Sequence, residues 1–327
     1  MTEPRFLLLQ LKRIGDLVLT APAVASLRAS RPDAEIVLVV PKSCGELSRC
    51  IVGVDRVLEW APGRPNTRLW GSLLAGSWDV CIDFTGNDRS SLMAKASRAK
   101  LRVGYQKFCA EKWRAKVFDR LCTASVRDSH TVDFHQALVS EALGEPAKVP
   151  AGPYLAVSAG CHSGNYAVVH PGTARIEKFW TTDGWLAVID HLSSQGLNVF
   201  VTGTNEGLER PQLDELRARA GANFSDLSGQ LSLPQMASLL AGAKIAVGVD
   251  SMAMHLAAMF QRPEVVLFGP TNPFHWGPLH PLGRVVTAEG VINRESMLPK
   301  SRRLEMKEIS TTAVLGAMDS LRSSEGW

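Results

Sequence analysis

The sequence predicts an α/β protein made of two doubly wound parallel sheets, and three observations carry that expectation. Strand-like apolar runs alternate with helical patterns along most of the chain, the signature of βαβ units. The connections between runs are long enough for the crossover helices that parallel strands require. The alternation also breaks and restarts around 146–165, a stretch rich in Pro, Gly, Ser and Ala, which is where a linker belongs. With 327 residues, 45% hydrophobic and 21% charged, the chain holds apolar material for two ordinary domains. We expect them at 1–155 and 156–327.

In order, Phe6 to Leu11 reads as a strand, Ile14-Gly15 as a turn, and Leu17 to Ser30 as a helix. Strand-like runs follow at Glu35 to Val40, Arg56 to Trp60, Asp79 to Asp83 and Leu101 to Val103. Beyond the linker, Tyr166 to His170, Asn198 to Thr202, Ile245 to Val249 and Val265 to Phe268 read as strands. Thr182 to Gln195, Leu208 to Ala220, Leu233 to Ala241 and Met252 to Phe260 read as helices between or beside them, and a last helix is expected at about Thr311 to Leu321.

Several function classes lose support. The longest apolar stretches, such as Ile36 to Val40 and Val265 to Phe268, fall far short of the roughly 20 residues that cross a bilayer. Glu3 and Arg5 stand directly before the first strand with no long apolar core, so a secretory signal is not expected and the cytoplasm is the expected compartment. The six cysteines (Cys44, Cys50, Cys81, Cys109, Cys122, Cys161) form no C-x-x-C pair, and the histidines, His275 and His280 included, form no H-E-x-x-H. No metal is expected. Neither G-x-G-x-x-G nor a P-loop occurs, and a D-x-D pair for a nucleotide-sugar-bound cation is missing too. Net charge is only +4, yet Lys95 to Arg120 alone holds nine Lys/Arg against Glu111 and Asp119. That segment is either a solvated surface or a cradle for something anionic, a phosphate-bearing lipid or a nucleic acid.

Ligands of open parallel sheets sit beyond the carboxyl ends of the strands, so the residues there matter most. In Lys12-Arg13-Ile14-Gly15-Asp16 a carboxylate occupies a turn at the mouth of the first strand. It can serve as a general base toward an acceptor hydroxyl or simply cap the following helix. His170-Pro171-Gly172-Thr173 with Lys178 offers amides, a hydroxyl and an ammonium to a diphosphate, or forms an ordinary loop. Asp250 and Ser251 open a helix whose N-terminus attracts phosphate, or else they cap it. His255 shares a face with Ser251 and reads, taken alone, as a packed histidine. If no metal takes part, Lys178, helix N-termini and hydroxyls must neutralise the leaving group.

Together these motifs, with Thr20-Ala21-Pro22, His255-Leu256-Ala257-Ala258 and Phe268-Gly269-Pro270-Thr271-Asn272-Pro273, resemble glycosyltransferase family 9, the ADP-heptose:lipopolysaccharide heptosyltransferases. Thr173-Ala174-Arg175 with Lys178 and Trp180, Val249-Asp250-Ser251, and the segment holding Phe274 and Trp276 look most like the heptosyltransferase III branch. The resemblance implies a GT-B architecture, two Rossmann-like domains facing a central cleft, with the acceptor in the first and ADP-heptose in the second. The last helix would pack back toward the first domain. It implies an inverting enzyme with Asp16 as general base and no cofactor. Donor binding falls to Thr173, Lys178, Glu206 as the ribose-side acid, and Asp250, Ser251, Met252 and His255. The acceptor, lipopolysaccharide core at the cytoplasmic face of the inner membrane, would meet Arg13, Arg102, Lys107 and Lys112. Many members carry a glycine soon after the donor-loop hydroxyl; Ser251-Met252-Ala253 departs from that and bears on donor identity. Two alternatives stay open: a family member using another nucleotide sugar or glycan acceptor, and a non-catalytic polyanion-binding protein.

Overall fold

The computed structural model describes residues 3–109, 112–158, 162, 164–221 and 223–325, with only the backbone of Lys112. The expectation for Cys161 therefore lies outside the described residues, and so does that for the Lys112 side chain. The chain divides into two compact units, Met1–Ala156 and Val157–Trp327.

The N-terminal unit runs β1 (Arg5–Leu9), α1 (Ile14–Ser30), β2 (Glu35–Pro41), α2 (Gly45–Ser48), β3 (Arg56–Trp60), α3 (Thr67–Ala75), β4 (Val80–Asp83), α4 (Asp88–Ala96), β5 (Leu101–Tyr105), α5 (Lys112–Ala115), β6 (Arg120–Cys122) and α6 (Thr131–Leu143). Its six strands are all parallel in the order β3-β2-β1-β4-β5-β6. Leu7, Leu8 and Leu9 and the run Ile36 to Val40 are wholly buried, because helices cover both faces of such a sheet and leave no polar side. The strand order reverses between β1 and β4, and the crevice at their carboxyl ends is the binding place of this topology.

The C-terminal unit repeats the plan with β7 (Tyr166–His170), α7 (Thr182–Ser194), β8 (Asn198–Val201), α8 (Arg210–Ala220), β9 (Ser225–Asp226), α9 (Leu233–Gly242), β10 (Ile245–Val249), α10 (Met252–Met259), β11 (Glu264–Leu267), α11 (Pro273–Trp276), β12 (Gly283–Thr287), β13 (Gly290–Ile292) and α12 (Thr311–Glu325). Its order is β13-β12-β11-β10-β7-β8-β9, with only β13 antiparallel. Omitting that edge strand, the same reversal falls between β7 and β10. Trp180 and Trp185 meet edge to face at 5.1 Å in the core, and the indole N–H of Trp180 donates to Ile309 O. Helix α12 buries Val314, Ala317, Met318 and Leu321, the single stripe expected of helical spacing, on α7 and on β11, β12 and β13 of its own unit.

Candidate functional site

In the N-terminal unit, β1 leads straight into α1. The helix begins at Ile14, so Asp16 sits in its first turn instead of in a turn before it, a correction to the sequence reading. Nor is Asp16 the cap: Arg13 holds that position. The Asp16 carboxylate is half-buried and accepts no hydrogen bond among the described residues. Its backbone is pinned, however, because Asp16 O accepts from Thr20 Oγ1 at 2.8 Å and Thr20 Oγ1 accepts from Gln10 Nε2 at 2.7 Å. Thr85 Oγ1 accepts from Leu11 N at 2.7 Å and donates to Leu9 O at 3.2 Å, tying the end of β1 to β4.

Beside this turn, Asp83 closes β4. It is wholly buried and accepts from Ser90 Oγ (2.7 Å), Thr85 N (2.9 Å) and Gly86 N (3.1 Å). Burial pushes its pKa up to about 6, against these bonds and the charge of Lys12. Gly86 has φ +70°, and a Cβ there would lie 2.2 Å from the Phe108 ring, so only glycine fits. That ring carries Lys12 Nζ at 5.3 Å and Lys107 Nζ at 5.7 Å. Burial, then Arg127 and Lys12, hold Lys107 below the usual lysine range. Lys12, Lys107 and Arg127 thus form one cationic cluster. Arg13 is exposed beside it in sequence. Arg102 is not part of the cluster: it stands near the amino end of β5 and is closed on Asp119 at 2.9 and 3.0 Å.

In the C-terminal unit, β7 and β10 pair in the register His170↔Gly248, so the loops after them leave the sheet side by side. Lys178 Nζ donates to Asp250 Oδ2 at 2.6 Å and to Asp250 O at 3.0 Å, and Thr271 Oγ1 donates to the same Oδ2 at 2.7 Å. His255 Nε2 lies 3.8 Å from Asp250 Oδ1, and its ring faces Trp276 at 6.5 Å. The cap reading of Asp250 fails; this carboxylate gathers Lys178, Thr271 and His255 instead. Ser251 occupies the N-cap of α10 but makes no cap bond, and its Oγ is buried without a partner among the described residues. Met252 follows as the first helical residue, half-buried. The result is an open helix N-terminus with an unused hydroxyl, next to an ammonium, an arrangement suited to a diphosphate.

Thr173 is buried in the loop after β7, its Oγ1 accepting from Arg175 N at 3.4 Å. His170 Nδ1 lies 2.9 Å from Thr202 Oγ1, and burial holds its imidazole below the usual range. Glu206 is exposed and enters none of these contacts. The organised acid nearby is Glu209, which accepts from Thr204 N at 2.6 Å and Thr204 Oγ1 at 3.0 Å. A Cβ on Gly172 would fall 2.5 Å from the Glu209 carboxylate, so that glycine lets the two loops touch. His280, weighed in sequence as a metal ligand, instead meets the buried Glu264 at 2.8 Å at the amino end of β11. Among the described residues no group of three or more His, Cys, Asp or Glu is placed to hold a metal ion, and no helix is long and apolar enough to cross a membrane.

Sequence reasoning named Asp16, Thr173, Lys178, Asp250, Ser251 and His255, and it passed over Asp83, Thr85, Arg127, Glu209 and the bond from Thr271 to Asp250. Position at the carboxyl end of a strand would have flagged Asp83; Glu209 carries no such local signal, since it lies a turn beyond the loop it closes.

Comparison with known proteins bears on both units. Residues 66–305 match glycosyltransferase family 9 (heptosyltransferase). Lipopolysaccharide heptosyltransferase 1 of Salmonella typhimurium is 25% identical over 286 residues, covering 82% of this chain and 89% of that protein. Lipopolysaccharide heptosyltransferase 3 of Escherichia coli is 25% identical over 286 residues, covering 81% and 83%, and heptosyltransferase 2 proteins match as well. Among solved structures, the family 9 glycosyl transferase from Veillonella parvula superposes with a TM-score of 0.81 at 19% identity, covering 98% of this chain and 97% of that one. Escherichia coli heptosyltransferase WaaC, solved with ADP, superposes with a TM-score of 0.75 at 22% identity, covering 98% of both. At such identities the structures attest the GT-B fold.

Proposed function

Because the chain belongs to glycosyltransferase family 9, the heptosyltransferases, we propose that it transfers heptose from ADP-heptose to the lipopolysaccharide inner core with inversion, and that Asp16 is the general base. The observation that carries this reading is the Asp16 carboxylate, held by its backbone at the crevice of the N-terminal sheet and accepting no hydrogen bond among the described residues. It takes the proton of the acceptor hydroxyl as that oxygen attacks the anomeric carbon. The bond from that carbon to the diphosphate breaks on the opposite face, and ADP leaves with the electron pair. Lys178, Thr173, Ser251 and the N-terminus of α10 neutralise the diphosphate, with Asp250 and His255 holding Lys178 and the loop in place. Lys178 reaches the donor by releasing or sharing Asp250.

For the anionic acceptor we assign Arg13 and Lys107, joined by Lys12 and Arg127. Their cluster supplies positive charge where phosphate-rich glycolipid is handled. The place of work is the cytoplasmic face of the inner membrane, reached as a peripheral protein. Met252, opening α10 where the sequence departs from a common glycine, favours testing other nucleotide sugars as a second reading.

The test is incubation of the purified protein with ADP-heptose and a panel of nucleotide sugars, each with defined core acceptors, and mass spectrometry of the products. Heptose added only with ADP-heptose, and with its anomeric configuration inverted, is the expected result. Transfer from a different nucleotide sugar would replace the donor assignment, and no transfer from any donor would remove the enzymatic one.

A further inference from the structure

A cavity of about 220 Å³ lies in the C-terminal unit behind the donor loop, lined by the segments 269–273, 287–292 and 296–304. Its walls are fixed. Asn272 Nδ2 donates to Leu298 O at 2.9 Å and Pro299 O at 3.1 Å, and Leu304 N donates to Gly269 O at 3.1 Å. A Cβ on Gly269 would lie 2.7 Å from the sulfur of Met306 and 3.0 Å from Leu304 O, so this glycine permits the close backbone approach that forms the back wall.

Three charged residues line this space, Lys300, Arg302 and Glu289, all exposed, and none forms an ion pair among the described residues. Around them stand the hydroxyl residues Ser296 and Ser301, and Leu298, an apolar side chain left 64% exposed. Each feature narrows the ligand. Two unpaired cations call for an anionic group. An unpaired carboxylate repels a bare anion but accepts hydrogen bonds from hydroxyls, and an exposed aliphatic surface suits the C–H face of a sugar ring. The volume is below the roughly 300–1,000 Å³ of pockets for drug-sized ligands, which admits one ring and excludes a nucleotide.

We propose that this cavity binds a phosphorylated monosaccharide, with the phosphate on Lys300 and Arg302 and the ring hydroxyls on Glu289. It is separate from the donor loop: Thr271, the lining residue that touches that loop, already commits its hydroxyl to Asp250.

The test is titration calorimetry on the full chain with glucose 6-phosphate, glucose and inorganic phosphate in turn, and with ADP as a separate probe of the donor loop. Glucose 6-phosphate should bind more tightly than either fragment. The double variant Lys300→Ala/Arg302→Ala should weaken it by roughly tenfold or more, while Glu289→Gln should erase the preference for the sugar phosphate over phosphate alone. Both variants should bind ADP as the parent does, which shows that they fold and that the donor reading stands or falls by itself. Binding of glucose 6-phosphate no tighter than that of phosphate, indifference to both variants, or no binding at all would each overturn the proposal.

Discussion

In the N-terminal unit the carboxylate at the end of the fourth strand, Asp83, is buried among uncharged donors, a hydroxyl and two amides. In the C-terminal unit, Asp250 stands at the corresponding place, just after the strand that neighbours the first, and is met by an ammonium and a hydroxyl. The helices that follow differ in the same sense. Helix α4 is sealed by a capping box between Asn87 and Ser90, whereas α10 begins at a Ser251 whose hydroxyl caps nothing. One strand order thus serves two uses. Where the fourth-strand helix is closed, the free groups collect on the first-strand helix, as Asp16 and its cationic neighbours. Where it is open, the helix N-terminus itself is available to an anion.

The comparison breaks most directly at Asp16. Asp16→Ala should lower kcat by roughly 10²–10⁴-fold, the range for a positioned general base, with an unchanged unfolding curve, because the side chain makes no hydrogen bond among the described residues. Steady-state ADP release checks it; turnover within a few-fold of the parent would move the base to another group, and Asp83 would be first in line. On the other side, Lys178→Met leaves Asp250 buried without its cation. Their side chains are only 12% and 6% exposed, so the loss should be on the order of 3 kcal/mol, seen in urea unfolding together with weaker ADP binding. An unfolding midpoint equal to the parent's would mean the pair contributes nothing to the fold.

Why the strands were so readable and parts of the site were not follows from the same physics. Runs such as Ile36 to Val40 and Ile245 to Val249 are buried on both faces, so their continuous apolar character is visible without any knowledge of partners. The short strands β6, β9, β12 and β13, at or next to the sheet edges, escaped because two to five residues with mixed burial give no period to detect. Asp16, Lys178 and Asp250 were legible because they follow strands. Their bonding was not: that Lys178 meets Asp250 across 72 positions is fixed by the pairing of β7 with β10, which no local pattern encodes. The start of α1 was misplaced because Gly15 argued for a turn, yet the first turn of a helix tolerates glycine where the chain enters from a strand.

A pH-dependent effect singles out Asp83. Folded Asp83 keeps its proton up to about pH 6, while its ordinary value is 3.8. Between those values the native state binds more protons than the unfolded one. The stability from the neutral, buried acid is therefore complete below about 3.8 and is lost as the pH rises through 6. A gap of this size, with the surrounding donors already counted in it, is on the order of 3 kcal/mol. Asp83→Asn mimics the neutral form, so its stability relative to the parent should climb from pH 4 to 6 and then level off. Urea midpoints measured across that range give the answer, and a difference that stays flat with pH would show Asp83 already ionised at low pH.

The smallest effect tests the helix ends. Asn87 Oδ1 accepts from Ser90 N at 2.9 Å and Ser90 Oγ accepts from Asn87 N at 3.1 Å, so Asn87→Ala should cost about 1 kcal/mol. Ser251 makes no such bond, and its buried hydroxyl is unpartnered among the described residues; removing an unsatisfied buried group relieves its desolvation. Ser251→Ala should therefore leave stability level or slightly raised while weakening ADP binding, the reverse of the pattern at Asn87. If Ser251→Ala instead destabilised the protein as much as Asn87→Ala and bound ADP normally, both helix ends would be structural caps, and the division of labour between the two units would have to rest on Asp16 and Lys178 alone.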